Sequence, residues 1–214
     1  MYVPPLYRPP DVAAQHELIT ENPFGLLVVA GGGALSGVHL PFVLDREQGP
    51  YGRLRGHLSR ANPVAAALAE GTEVMAVFTG PHSYICPDDY ASEPHFPTWN
   101  YAAVHAYGRP RVLAGAEADR QLVDLIADQE GRLAPKEPWT LDRVPDELYQ
   151  QFRSMIVVFE LPLDRLEGIF KYGQNKERDD LCAQVRAFRR RGTDSAHRFA
   201  DRLAGHNDIS GARS

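Results

Sequence analysis

Glu73–Leu113 reads EVMAVFTGPHSYICPDDYASEPHFPTWNYAAVHAYGRPRVL. An apolar run, a long aromatic and polar stretch, and a second run alternating apolar with polar predict two strands that hold one loop. Connections inside a domain usually stay under about 12 to 15 residues, and longer ones are functional or disordered. Tyr84, Tyr90, Phe96, Trp99 and Tyr101 make this one too aromatic for disorder. It reads as an ordered binding or interface loop, with a lid over the core edge as the plainer alternative.

On the N-terminal side, the prolines of Met1–Pro10 predict an extended arm that docks through Tyr2, Val3, Leu6 and Tyr7. Asp11 is placed to cap a helix running to about Glu21, stopped by Asn22-Pro23. Strands follow over Phe24–Ala30, up to Asp45 and over Arg53–Ser59. Gly31–Gly33 feeds a strand pattern and not a helix, so it reads as a hairpin turn instead of a phosphate loop. In RLRGHLSRANPVAAALAEG, Asn62 and Pro63 start a short helix and Gly71 ends it. That helix start, beside His57 and Arg60, offers N–H groups to an anion; the plainer alternative is a solvated turn with a cap.

On the C-terminal side, Tyr101–Leu113 predicts a long strand bent near Gly108 and Pro110, and Glu117–Glu130 an amphipathic helix with Leu122, Leu125 and Ile126 inward and Val123 as a further candidate. A short helix over Pro145–Phe152 precedes two strands, SMIVVFELP and DRLEGIFKYGQ, split by a turn at Pro162–Asp164. Asn175 then caps a helix carrying Leu181, Val185 and Phe188, and Thr193 or Asp194 caps the last helix, with a frayed tail from Gly205. Six or seven strands with helices between and after them predict an α+β fold on a closed or split antiparallel β-barrel. Residues 1–172 form the barrel domain with its arm, and residues 173–214 a helical extension packed on it.

Two cysteines in 214 residues rule out a disulfide framework, and no apolar run suits a signal peptide or a membrane span, which points to the cytoplasm. A net charge of -5 argues against a broad footprint for nucleic acid. His82, Cys86, Asp88, Asp89 and His95 share the loop without metal-ligand spacing, so no metal is assigned. No nucleophile elbow is present, and the arginines from Arg186 to Arg191 read as a solvated helix end. What remains suits a flat, anionic, aromatic ligand. Trp99 and Tyr101 can stack on a ring, Asn100, Gln174 and Asn175 can bond its edges, and Arg60 with the helix start can hold a phosphate. Flavin mononucleotide (FMN) has that chemistry.

HLPFVLD (His39–Asp45), GHLSRANP (Gly56–Pro63), VFTGPHSYICPDDY (Val77–Tyr90), PTWNYAAVHAYG (Pro97–Gly108) and KYGQNK (Lys171–Lys176) occur in that order. Together they resemble the PaiB family of FMN-binding negative transcriptional regulators, from Met1 to about Leu203. The resemblance implies an FMN-binding split barrel related to the pyridoxamine phosphate oxidase fold, working as a homodimer with flavin at the interface. It also implies repression of sporulation and degradative-enzyme genes in Bacillus-type members, with DNA or another regulatory protein as partner. His57, Arg60 and Asn62 would then lie near the cofactor phosphate, Ser36 and His39 on the neighbouring strand, and Trp99, Asn100, Lys171, Gln174 and Asn175 would close the site. The family's K-x-S-Q-N has Gly173 in place of its serine here. A flavin-dependent oxidoreductase of a small molecule is the alternative on the same fold, and a binding protein with a vestigial flavin site a third.

Overall fold

Burial alternates along Phe24–Gly31 (β1), as a strand with one inward face requires, and β1 pairs antiparallel with Ala34–Pro41 (β2) from Phe24 opposite Pro41 to Gly31 opposite Ala34. In this computed structural model, which describes residues 1–31 and 34–209, the predicted hairpin is present, while Gly32 and Gly33 lie outside the described residues. The other strands are Val43–Asp45 (β3), Arg53–Ser59 (β4), Val74–Thr79 (β5), Ser83–Ile85 (β6), Thr98–Gly108 (β7), Arg111–Leu113 (β8) and Ile156–Lys171 (β9). Helices cover Val12–Glu21 (α1), Val64–Ala69 (α2), Gly115–Gly131 (α3), Asp146–Ser154 (α4), Arg178–Arg190 (α5) and Asp194–His206 (α6).

The sheet order is β2-β1-β5-β7-β9-β4-β3, with β6 on β7 and β8 on β9. It does not close, so the fold is an α+β antiparallel split barrel. The nine strands among the described residues exceed the expected six or seven because β3, β6 and β8 have three residues each, too few to leave a periodic signal. No described helix is long and apolar enough to cross a membrane.

The chain divides into two compact units. One comprises Met1–Leu18, Thr79–Val104 and Gly168–Ser214, the other Ile19–Phe78 and His105–Glu167. In the first, Asp11 caps α1 by accepting the Ala14 N–H at 2.8 Å, and Thr193 caps α6 by accepting that of Ala196 at 3.2 Å. Leu181, Val185 and Phe188 are all buried, with Phe188 against Phe199 at 4.6 Å between centroids. Asn175 does not cap α5: the Lys176 N–H bonds the Gly173 carbonyl in a turn, and the helix starts only at Arg178. Nor does the chain fray over Gly205–Ile209; the rest of that expected tail, residues 210–214, lies outside the described residues. Asn207 donates to the Tyr172 carbonyl at 2.8 Å and Ile209 is buried.

In the second unit, Phe42 packs edge-on against Phe78 at 5.4 Å and Phe159 at 6.3 Å. Leu122 and Leu125 of α3 face inward as expected, and Val123 is exposed. The turn expected at Pro162–Asp164 is absent, and β9 continues through it. Pro162 stands opposite Arg53 at the last paired position of β4, and the Leu163 N–H bonds the Gly52 carbonyl at 3.0 Å. The proline therefore sits where the ladder already ends and its missing donor costs nothing. A Cβ on Gly108 would lie 2.0 Å from the Pro162 carbonyl oxygen, so only glycine allows this approach.

Candidate functional site

In the second unit, β4 carries His57 on an alternating strand and runs directly into the turn before α2. A cavity of about 770 Å³ opens there, with Leu122, Phe152 and Met155 among its apolar walls and His39, His57 and Asn62 supplying polar groups. The Nδ1 of His57 is buried with no hydrogen-bond partner, and burial lowers the pKa of its ring, so the imidazole is neutral near pH 7. An orphaned buried nitrogen is costly unless a ligand completes it. His39 stacks on Phe24 at 5.9 Å, and Asn62 accepts the Val64 N–H at 3.0 Å, leaving its amide NH2 free to donate.

Arg60 and Ser36 are not among the residues lining this cavity. Arg60 Nε donates to the Ser154 carbonyl and Nη2 to that of Ile156, both at 2.8 Å, which ties the β4–α2 turn to the start of β9. Its Nη1 has no partner among the described residues. Ser36 is exposed, opposite Val29 in the hairpin.

The first unit holds a second cavity of about 310 Å³ to which Asn100, Lys171 and Asn175 all contribute, together with Thr98, His95 and Lys176. Lys171 Nζ donates to Thr98 Oγ1 at 2.6 Å. Burial, and then the charge of Lys176, lower the Lys171 pKa from its ordinary value. Asn100 is almost fully buried, which a side chain with four hydrogen-bonding positions tolerates only beside polar partners.

Trp99 and Gln174 stand apart from that cavity. Trp99 is 54% exposed, its ring against His82 at 6.2 Å and Tyr84 at 6.3 Å. Gln174 acts as a clamp within its own unit. Its Oε1 accepts the Tyr172 N–H at 2.8 Å and its Nε2 donates to the Phe170 carbonyl and to His206 Nε2. Two residues at this site were overlooked in the sequence: Lys176, the last residue of KYGQNK, and Asp180 on α5, whose role is set by the loop folding onto it.

An FMN molecule combines a flat apolar ring system with polar edges and a dianionic phosphate, and the residues present fit it. The larger cavity has the size of ligand pockets, about 300 to 1,000 Å³, apolar walls, a stacking-capable imidazole and an unsatisfied His57 nitrogen. When bound, FMN supplies redox chemistry that no side chain here carries.

Residues 1–165 match the family described as "Putative FMN-binding domain". The chain is 26% identical to the protease synthase and sporulation protein PAI 2 of Bacillus subtilis, over 94% of this chain and 95% of that one. An uncharacterized protein of Emericella nidulans is 29% identical over the same shares. Among solved structures, the FAD and heme binding protein of Mycobacterium smegmatis superposes with a TM-score of 0.58 at 18% identity, covering 81% of this chain and 77% of that one. The flavocytochrome Anf3 of Azotobacter vinelandii gives 0.53 at 14% identity, covering 73% and 65%. At such identities the likeness is one of fold. Sequence match, fold and cavity agree: the chain belongs to the PaiB-like FMN-binding domain family, and FMN is its cofactor.

Proposed function

We propose that this protein is a flavin-binding negative transcriptional regulator that works as a homodimer with FMN at the subunit interface. The observation that carries the flavin site is the large apolar cavity with its orphaned His57 nitrogen, beside the strand-to-helix turn of GHLSRANP. In this reading His39, His57 and Asn62 contact the cofactor, Arg60 offers its unpartnered Nη1 to the phosphate, and Ser36 lies on the adjacent strand. Trp99, Asn100, Lys171, Gln174 and Asn175 close the site from the other subunit, Gln174 by holding the turn between Phe170 and Asn175. The exposed aromatics Phe96, Trp99 and Tyr84 support a second copy as the covering surface. The regulatory role is supported by relationship to the Bacillus subtilis protein, whose name refers to protease synthesis and sporulation.

Fluorescence titration of flavin-free protein with FMN tests the cofactor, and transcript profiling of a strain lacking the gene, complemented with wild type or His57→Ala, tests the role. Regulation predicts derepressed transcripts that wild type restores and the flavin-site variant does not. Turnover of a reduced nicotinamide with an acceptor, without transcript changes, would favour the oxidoreductase instead.

A further inference from the structure

The smaller cavity presents two lysine ammoniums and no carboxylate. Its lining consists of aromatic, proline, glycine, threonine, asparagine, histidine and lysine residues. Neither Lys171 nor Lys176 forms an ion pair among the described residues. Each ammonium has three donors, and the hydrogen bonds in place account for one on each: Thr98 Oγ1 for Lys171 and His95 Nδ1, at 3.1 Å, for Lys176. Burial first, and then the like charge of Lys176, lower the pKa of Lys171, so gathering the two ammoniums in this half-buried site carries a cost. Folding keeps them together with no carboxylate among the described residues that line the cavity.

The position of Lys176 is fixed by a chain of contacts leading to α5. An ammonium only donates, so His95 Nδ1 accepts and its proton lies on Nε2, which stands 3.2 Å from Asp180 Oδ2 and 3.0 Å from Ser92 Oγ. Asp180 in turn accepts the N–H groups of Ala91 at 3.0 Å and Ser92 at 2.9 Å. Burial alone would push its carboxyl up, but the Ser92 and Ala91 donors outweigh this and hold it below the usual carboxylate range. The His95 ring also stacks on Tyr90 at 3.9 Å, and Lys176 Nζ lies 5.1 Å from the Tyr90 centroid. Asp180 and His95 are therefore positioning residues, and the lysines are the binding groups.

We propose that this cavity binds a small phosphate monoester, separate from the flavin phosphate, between the Lys171 and Lys176 ammoniums. Two fixed cations match a dianion, and Asn100 and Asn175 add neutral polar groups to the same lining. Asn100, Lys171 and Asn175 also close the flavin site in the reading above, so the ligand's place beside the flavin, as substrate or effector, rests on that reading; phosphate binding by the flavin-free protein does not.

Calorimetric titration of inorganic phosphate into the full chain at constant ionic strength tests this, with flavin-free and FMN-saturated protein compared. Saturable one-to-one binding is expected in both, weakened at least about tenfold by Lys171→Met and by Lys176→Met and largely restored by Lys171→Arg. Unchanged melting of the variants in chloride buffer separates lost binding from lost fold. Absence of saturable binding, or equal binding by the methionine variants, overturns the proposal. Phosphate binding abolished by FMN but not by riboflavin also overturns it, because the cavity then holds the flavin's own phosphate. Should FMN fail to bind while phosphate still does, the flavin reading falls and this one stands.

Discussion

Arg60 illustrates how one side chain serves both fold and ligand. Two of its N–H groups clamp the carbonyls of Ser154 and Ile156. Arg60→Ala should therefore cost about 1 kcal/mol of stability in denaturant unfolding, and FMN affinity should fall at least about tenfold while riboflavin affinity changes little. Equal losses for both flavins would leave Arg60 with the structural role alone. Gly173 sits at φ +78, and a Cβ there would meet Leu181 Cδ2 at 3.0 Å. The departure from K-x-S-Q-N thus places glycine where an L side chain is strained. Gly173→Ser is expected to destabilise the protein by about 1 to 2 kcal/mol, read from the denaturant midpoint. Burial, and then the charge of Arg202, lower the His206 pKa from 6.5. As pH falls, the unfolded chain takes up its proton first, so this contribution is complete above about pH 6.5 and is lost as pH falls toward the folded value. Melting temperature should drop between about pH 7 and pH 5, less steeply in His206→Gln, where a neutral side chain replaces the titrating ring.

Among the elements, the long loop between β5 and β7 depends on a contact distant in sequence. Asp180, in the first turn of α5, accepts from Ala91 N–H, Ser92 N–H and Ser92 Oγ. A second latch joins Arg191, just after α5, to Asp89 at 2.6 Å. Asp180→Ala is expected to remove about 2 kcal/mol, a melting decrease of about 4 to 8 °C. Hydrogen exchange should speed up at Ala91 and Ser92 before it does in β7. Protection unchanged at those amides would mean the loop is held by its aromatic packing instead. Helix α5 thus does more than pack Phe188 on Phe199: its polar end also orders the loop.

For the whole molecule, the exposed Phe96, Trp99 and Tyr84 are the side chains that the proposed dimer would cover. Sedimentation at micromolar concentration should give twice the 23.8 kDa chain mass. Trp99→Ala and Phe96→Ala together should shift the species toward the monomer and weaken FMN binding with it. A wild type that stays monomeric would rule out an interfacial flavin.

Local pattern by itself determined much of this protein. Alternation over Phe24–Ala30, Arg53–Ser59 and Tyr101–Gly108, the heptad-like spacing of Leu181, Val185 and Phe188, and the caps Asp11 and Thr193 all depend on near neighbours, and near neighbours are what a sequence displays. The GHLSRANP and KYGQNK motifs likewise marked residues that line the two cavities. Tertiary structure alone decided where long-range pairing overrides local signals. Pro162 reads as a turn, yet β4 and the Gly108 gap carry β9 straight through it. Asn175 reads as a cap, yet the Gly173 turn displaces the helix start. The acid that orders the loop lies 88 residues from Ser92, and the lysine pair is assembled by one strand end and the turn after it folding against that loop. Such contacts have no sequence period because they join segments whose spacing is set by the fold, not by the repeat of a helix or strand.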